Sequence, residues 1–149
     1  MNKAGFYFIA IGVTLTVGCS KKSDTTIESQ NDKISYAING TSWSLRYFDL
    51  GANTTLSVPN GQQYTIIFSD TTAIGSNDCN LYSIAYSTTS TGTITAHGYS
   101  STKIYCGGNS RDSIFVDGLR NLCSFEIIDN IMLTLYYSNK TKALCFLKQ

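Results

Sequence analysis

The chain has almost no net charge, a single histidine and none of the common catalytic motifs. Its 149 residues include 11 Lys and Arg against 10 Asp and Glu, so the formal net charge is +1. Nucleic-acid-binding proteins need a basic surface that neutralises phosphates, and this chain lacks the basic excess that such a surface requires. The composition therefore predicts no nucleic-acid partner.

Catalytic patterns are missing as well. The sequence contains no G-x-S-x-G elbow, no H-E-x-x-H zinc motif and no P-loop lysine motif. The single histidine, His97, stands between Ala96 and Gly98 near a stretch that favours a strand, so we expect a surface residue rather than a general base. The carboxylates are spread singly, so no acid/base pair is predicted. We expect neither an enzyme nor a cofactor; a hydrolase whose site assembles only on folding is the third-ranked alternative.

What the sequence does contain is an export signal at its start. Lys3 is followed by an uncharged, mostly apolar stretch from Ala4 to Val17, then by Gly18 and Cys19. A short basic start, an apolar segment and a small residue at the cleavage site are typical of a secretory signal peptide. The stretch is shorter than the roughly 20 apolar residues that cross a membrane. We therefore predict a signal peptide at residues 1–18, followed by Cys19 as the lipid-carrying cysteine of a bacterial lipoprotein.

The residues around Cys19 refine this prediction. Thr16 stands where the usual lipid-attachment motif has Leu, which leaves an ordinary signal peptide as the alternative. Ser20, rather than Asp, after the cysteine favours the outer membrane. Residues 19–33 are polar and without periodicity, as in a flexible tether. The expected partners are thus a membrane, through the lipid anchor, and another protein of the cell envelope, with the folded domain at residues 34–149.

The other cysteines fit an oxidising compartment. Setting Cys19 aside leaves an even number, which suits disulfides: Cys79, Cys106, Cys123 and Cys145. A metal site is not expected, because no Cys-x-x-Cys spacing exists and histidine occurs once. Four cysteines allow three pairings, between which the sequence alone does not choose. Buried free thiols are the alternative if the protein is not exported.

Alternation of apolar and polar residues predicts a mostly β domain. The pattern has the two-residue period of half-buried strands in three stretches, at 64–69, 82–87 and 131–138. Asn39–Gly40 predicts a hairpin turn between Tyr36–Ile38 and Trp43–Leu45, and Asn139–Lys140 predicts a turn into a last strand at Ala143–Leu147.

One segment has helical spacing instead. Between Ser110 and Leu122, Phe115, Leu119 and Leu122 fall on one helix face. Asn109 or Ser110 is expected to cap this helix, and Asp112 places a negative charge at its positive end. The fold class predicted is mostly β with one helix (α+β): an antiparallel wrapped sheet or distorted β-barrel with one packed helix.

A series of short motifs then follows in a characteristic order. They are Trp43-Ser-Leu45, Thr65-Ile-Ile-Phe68, Cys79-Asn80-Leu81-Tyr82 with Tyr86, Thr102-Lys-Ile-Tyr-Cys106, Asp112-Ser-Ile-Phe115 with Leu119, Leu133-Thr-Leu135 and Leu144-Cys-Phe146. This order resembles the META/HslJ-like domain family over about Ser35 to Leu147. The sequence departs from the family pattern where Asp78 and Ser83 replace glycines and Asp112 replaces Glu.

The resemblance carries implications for fold, bonding and function. It implies a compact barrel or wrapped sheet with one helix, and bacterial envelope proteins, often lipoproteins, linked to stress or antibiotic tolerance. It also implies a Cys79–Cys106 disulfide, which leaves Cys123 to pair with Cys145. Asn80, beside Cys79, is expected to bond backbone in a turn rather than to bind a ligand.

The resulting functional prediction is a non-enzymatic envelope lipoprotein that serves protein interaction, stress tolerance or envelope integrity. The alternative is a β-barrel that binds a small ligand or lipid in a cavity lined by Trp43, Tyr82 and Tyr86. We expect these aromatic residues to be core side chains whose hydroxyl groups reach the surface.

Overall fold

A computed structural model describes residues 34–35 and 37–149 of the chain. The predicted signal peptide, Cys19 and the tether lie outside the described residues. The elements, in chain order, are β1 (Ile34–Ser35), β2 (Ser42–Asp49), β3 (Thr55–Ser57), β4 (Thr65–Phe68), β5 (Thr72–Asn77), β6 (Asn80–Thr88), β7 (Ile94–Ser101), α1 (Asp112–Arg120), β8 (Leu122–Ile128), β9 (Met132–Tyr137) and β10 (Lys142–Lys148).

The strands form one antiparallel sheet that curls towards closure. Its order is β1-β8-β9-β10-β2-β4-β5-β6-β7, with β3 paired to β2. Just before β7 begins, Thr93 bridges Ser124 of β8, and the Phe125 N–H donates to the Gly92 carbonyl at 2.8 Å. Within the described residues, the fold is thus a curled half-barrel sheet with a single helix, and the predicted fold class is confirmed.

The two-residue alternation places one set of side chains inside the curl. In β6, for example, Tyr82, Ile84 and Tyr86 are buried, whereas Leu81 and Ala85 are exposed. Phe115 of α1 lies at the centre of the aromatic core. Its ring is 5.1 Å from that of Tyr64, 5.6 Å from Tyr82 and 6.3 Å from Phe146. The helix therefore closes the core on the side where the sheet is open.

The helix is shorter than the sequence predicts. It runs from Asp112 to Arg120, and Leu122 instead begins β8, where it is buried opposite Tyr137. The apolar spacing could not show whether Leu122 belongs to the helix or to the next strand, because a strand residue directly after the helix can bury its side chain in the same core. The N-cap is Arg111, which makes no side-chain cap bond; the predicted cap Ser110 instead accepts a hydrogen bond from the Asp112 N–H at 3.3 Å.

Gly118 explains how α1 approaches the sheet so closely. A Cβ atom built at this position would lie 2.9 Å from Leu144 Cδ1 in β10. Glycine is unfavourable inside a helix by about 1 kcal/mol relative to alanine, but here it leaves room for the buried Leu144 side chain.

The predicted hairpin at Asn39–Gly40 is wrong. The turn itself forms, with Gly40 at φ +72°, but the strand before it, β1, pairs with β8 rather than with β2. A turn sequence specifies local backbone geometry, whereas the partner of the preceding segment depends on the whole sheet. The Asn139–Lys140 turn, by contrast, does connect β9 to β10 as predicted.

Candidate functional site

The first predicted disulfide is present. Cys79 and Cys106 are bonded, with 5.5 Å between their Cα atoms. The bridge ties the β5–β6 turn to the segment that follows β7, residues 102–106. It therefore fixes that segment against the sheet beside α1.

The second predicted pairing requires a correction. Cys123 and Cys145 are free thiols, and the Cys123–Cys145 disulfide does not form. Cys123 lies in β8 and Cys145 in β10, with β9 between them. Two strand spacings amount to about 9–10 Å, which exceeds the roughly 7 Å between Cα atoms that a disulfide tolerates.

Both free thiols take part in local contacts instead. Cys123 donates to the Tyr136 carbonyl at 3.4 Å. Burial raises the pKa of the Cys145 thiol. The hydrogen bond with Cys145 is the largest cause that raises the pKa of Tyr47 to about 12. A thiol held in its protonated form is a poor nucleophile, so the raised pKa of Cys145 disfavours that residue as a reactive cysteine.

Asn80 fastens the 102–106 segment by hydrogen bonds. Its Oδ1 accepts from the Ile104 N–H at 2.7 Å and from Thr102 Oγ1 at 2.8 Å. Its Nδ2 donates to the Ile104 carbonyl at 3.0 Å and to Cys106 Sγ at 3.2 Å. Asn80 is 3% exposed and uses both polar atoms for this segment. The backbone-bonding role expected from the sequence thus agrees with these contacts.

A groove lies between the edge of β7 with its following segment and the helix α1; we call it the β7–α1 groove. It consists of a cavity of about 610 Å³ and a smaller one of about 310 Å³, and both are lined by Tyr99 and Arg120. Lys103, Ile104 and Tyr105 line the larger cavity from the 102–106 segment. The larger cavity has the size of a ligand-binding cleft.

Charges of both signs line the groove, but only the carboxylates are hydrogen-bonded. The Asp112 carboxylate accepts from Asn77 Nδ2, and the Asp117 carboxylate accepts from Asn121 Nδ2 at 2.9 Å. Arg120 lies over the ring of Tyr99, 4.8 Å from its centroid. Across residues 37–149, the Arg120 guanidinium and the Lys103 ammonium have no hydrogen bond or salt bridge.

Tyr99 is held in place from two further directions. Its ring stacks on that of Tyr82 with 5.8 Å between centroids, and Asn77 Nδ2 donates to its hydroxyl at 3.4 Å. Burial raises the pKa of Tyr99, and it raises that of Tyr82 well above the usual value. Both rings are therefore neutral and ordered at physiological pH.

A polar cluster lies next to the groove, where α1 begins. The Tyr64 hydroxyl donates to Gln62 Oε1 at 3.1 Å and accepts from the Arg111 N–H at 2.9 Å. Burial raises the pKa of Tyr64. Three buried atoms of the described chain lack a hydrogen-bond partner here: Asn77 Oδ1, Asp78 Oδ2 and Arg111 Nη1. The hydrogen bond from the Arg111 N–H to the Tyr64 hydroxyl anchors the start of α1 to the sheet.

His97 lies on the exposed side of β7, as the sequence predicts. Its Nε2 is 2.8 Å from Ser87 Oγ in β6. No carboxylate among the described residues is hydrogen-bonded to this pair. The pair therefore lacks the third group that orients a histidine base in nucleophilic catalysis.

The aromatic residues Trp43, Tyr82 and Tyr86 are core side chains, as expected, and the hydroxyl groups of the two tyrosines bond to backbone carbonyls. Tyr82 donates to the Thr65 carbonyl at 2.7 Å and Tyr86 to the Ser69 carbonyl at 2.5 Å. Trp43 is fully buried. These side chains pack the inside of the curl, so the lining proposed for a ligand cavity is the hydrophobic core.

Sequence reasoning missed Tyr99, Lys103 and Arg120 as groove residues. Tyr99 lies in β7 and Arg120 in the last turn of α1, so only the tertiary fold brings them together. The one signal available was the pair Ile104–Tyr105, two large apolar residues between polar ones just before Cys106.

The comparisons with known proteins support the fold. No family model and no curated protein match the chain. It is similar to an NMR structure of a protein from Burkholderia xenovorans, with a TM-score of 0.64 and 19% identity, covering 75% of this chain and 83% of that one. It is also similar to the crystal structure of a DUF4847 family protein from Bacteroides vulgatus, with a TM-score of 0.54 and 18% identity, covering 74% and 94%. At these identities the likeness extends to the fold alone.

Two further properties concern the described residues only. No helix among them has the length and apolar character needed to cross a bilayer. No group of three or more His, Cys, Asp or Glu side chains within the same residues is arranged to hold a metal ion.

Proposed function

We propose that the protein is a bacterial envelope lipoprotein, exported by residues 1–18 and anchored through Cys19, whose β-domain binds another protein without catalysing a reaction. The signal-like start of the sequence and its resemblance to the META/HslJ-like family support the anchored location and a role in stress tolerance or envelope integrity. The Cys79–Cys106 disulfide is consistent with an oxidising compartment.

The observation that carries the binding role is a set of three exposed apolar side chains near this disulfide, Leu81, Ile104 and Tyr105, which we call the apolar patch. These residues are 68%, 61% and 86% exposed, the highest values for large hydrophobic side chains of the described chain. All three lie within two residues of a bonded cysteine. Clustered, exposed apolar side chains on a fixed backbone are typical of protein-binding surfaces.

The alternative of a ligand-binding barrel receives less support. Its proposed lining residues, Trp43, Tyr82 and Tyr86, are at most 4% exposed and belong to the core cluster. The groove and the apolar patch both lie outside that core, which favours a partner that binds to the outer surface.

Site-specific photo-crosslinking in cells tests the binding role. A photoreactive amino acid is placed at Tyr105 or Ile104, and Ile131 in the β8–β9 turn serves as the matched control because it is 60% exposed. We expect a discrete crosslinked protein from Tyr105 and Ile104 and none from Ile131. Equal crosslinking at all three positions, or none at any, would contradict the proposal.

Intact mass spectrometry tests the anchor. Protein extracted in detergent without reductant is expected to start at Cys19, to carry an added acyl mass and to contain one disulfide. A mass that still includes residues 1–18 would exclude the lipoprotein assignment.

A further inference from the structure

The free edge of β7 borders the β7–α1 groove. β7 is the last strand of the sheet order, and its ladder partner is β6. In the described chain, residues 95–101 make no backbone hydrogen bond to any other element. An unpaired strand edge exposes a row of N–H and C=O groups that can pair with another chain.

The segment after β7 does not extend this free edge. The Thr102 N–H donates to the Leu81 carbonyl at 3.1 Å, and Asn80 holds both backbone polar groups of Ile104, so these groups are already bonded. A register irregularity near Gly98 interrupts the first half of the strand. The regular free edge is therefore Gly98–Ser101, about 13 Å long at the usual rise of ~3.3 Å per residue.

The backbone of this edge is already ordered in the free protein. The Cys79–Cys106 disulfide and Asn80 hold the 102–106 segment, and Tyr82 and Asn77 hold Tyr99. A prefixed strand edge loses little conformational entropy on binding, which favours affinity. The groove leaves space beside this edge, since its two cavities of about 610 and 310 Å³ border β7 and the segment after it.

The charges that line the groove indicate the charge of the segment that it binds. The smaller cavity is lined by Ala96, Gly98, Tyr99 and Arg120, so its charged group is a cation. In the larger cavity, the carboxylates of Asp112 and Asp117 already accept amide hydrogen bonds. These carboxylates stand beside Lys103 and Arg120, so the larger cavity carries both signs of charge, whereas the smaller cavity, with Arg120 as its charged group, suits a carboxylate.

We propose that the β7–α1 groove binds an extended segment of another protein as an added strand on the edge Gly98–Ser101, with an acidic side chain of that segment on Arg120. Backbone hydrogen bonds supply affinity in this mode, and alternate side chains supply specificity. This inference rests on the proposed protein-binding function and names the site and the chemistry of the partner.

Selection from a random peptide display library on the whole mature protein tests the inference. We expect the selected peptides to be extended, with alternating β-branched residues and at least one Asp or Glu. In the protein's NMR spectrum, the strongest of these peptides is expected to shift the amide signals of residues 98–101 and of the last turn of α1. No selected peptide, or shifts confined to other residues, would overturn the inference.

Charge-reversal variants make the test specific. Arg120→Glu is expected to weaken binding of the selected peptide about tenfold or more, the usual size of a lost charged hydrogen bond. Lys103→Glu provides a second variant that leaves α1 unchanged. Arg46→Glu, an exposed residue of β2 four strands from β7 in the sheet order, is the control and should bind normally. Unchanged affinity in both groove variants, or an equal loss in Arg46→Glu, would overturn the inference.

The outcome separates this inference from the proposed function. If crosslinks from Tyr105 persist but the peptides do not bind the groove, the partner uses the apolar patch and only the added-strand inference fails. If neither crosslinks nor peptides are found, the proposed protein-binding function fails as well.

Discussion

The two ends of the curled sheet carry one pair of cysteines each, but they are stabilised differently. At the β8–β10 end, Cys123 and Cys145 are free thiols, and the strands are held by the β8–β9 and β9–β10 ladders, the first of which has an irregularity at Cys123, and by the core beneath α1. At the β7 end, the ladder stops at one side, and the segment after it is fixed by the Cys79–Cys106 bridge and by Asn80. The covalent bond thus lies where regular pairing ends.

This difference shows how the fold keeps apolar side chains exposed on an ordered backbone. Leu81, Ile104 and Tyr105 are exposed apolar side chains that contribute little to folding, so the backbone beneath them needs another source of order. A disulfide and a fully bonded buried Asn provide it without a larger core. The β8–β10 end needs no such bridge, because its inner face is buried.

The largest loss of stability is expected from a substitution in the aromatic core, which both ends of the sheet share. Phe115→Ala deletes the ring that contacts Tyr64, Tyr82 and Phe146. We expect a loss of about 3–5 kcal/mol in the free energy of unfolding, as for other buried Phe to Ala changes. Urea unfolding followed by circular dichroism measures it, with Ser113→Ala, at an exposed position on the same helix, as the control. A loss below about 1 kcal/mol would place the core elsewhere.

The next prediction distinguishes the bonded cysteine pair from the pair of free thiols. Cys79→Ala/Cys106→Ala is expected to lower stability by about 3 kcal/mol, the usual contribution of a bridge that closes a loop of this length. Adding a thiol reductant should lower the Tm of the wild-type protein and of Cys123→Ala/Cys145→Ala alike. The reductant should leave Cys79→Ala/Cys106→Ala unchanged; a further fall in its Tm would reveal a second disulfide.

Local sequence patterns explain which parts of this architecture were predictable. Alternation in β6 and β9 identified the strands because each has one face in the core. The spacing of Phe115 and Leu119 identified the helix for the same reason. The Cys79–Cys106 pair followed from the family resemblance, whereas Cys123–Cys145 was left over by counting, which takes no account of the strand between them.

The groove could not be predicted by such reasoning. Tyr99 and Arg120 belong to different elements, and their contact depends on how far the sheet curls and where α1 crosses its opening. The partner of β1 was missed for a related reason, since strand pairing over long sequence separations is not encoded in the turn at Asn39–Gly40. Long-range geometry, rather than local propensity, decides both features.

A smaller effect tests the role of Asn80 at the β7 end. Asn80→Ala leaves the Ile104 N–H and carbonyl without their partner, so we expect a loss of about 1–3 kcal/mol. Asn121→Ala is the matched control, because Asn121 is exposed and its amide bonds Asp117 at the end of α1. Hydrogen exchange should rise for residues 102–106 in Asn80→Ala and stay slow in β9. Faster exchange throughout the sheet would show that Asn80 stabilises the whole domain instead.

The smallest expected effect appears at alkaline pH and involves both ends. Burial raises the pKa of Tyr82 and Tyr99 near β7, and of Tyr136, Tyr137 and Cys145 at the other end. A folded-state pKa above the unfolded value means that folding favours the neutral form. Its stabilising contribution is complete below the unfolded pKa values of 9.0 for Cys and 10.0 for Tyr, and it is lost as the pH rises through the folded values.

The Tm should therefore decline as the pH is raised above about 9 towards about 11, with tyrosinate absorbance appearing together with unfolding rather than before it. Tyr136→Phe is expected to make this decline shallower, because it removes one half-buried titrating group whose pKa is raised in the folded state. Tyr105→Phe, at a side chain that is 86% exposed, is the control and should follow the wild-type curve. If tyrosinate absorbance rises in full while the protein stays folded, burial does not protect these phenols, and the two ends do not share this source of stability.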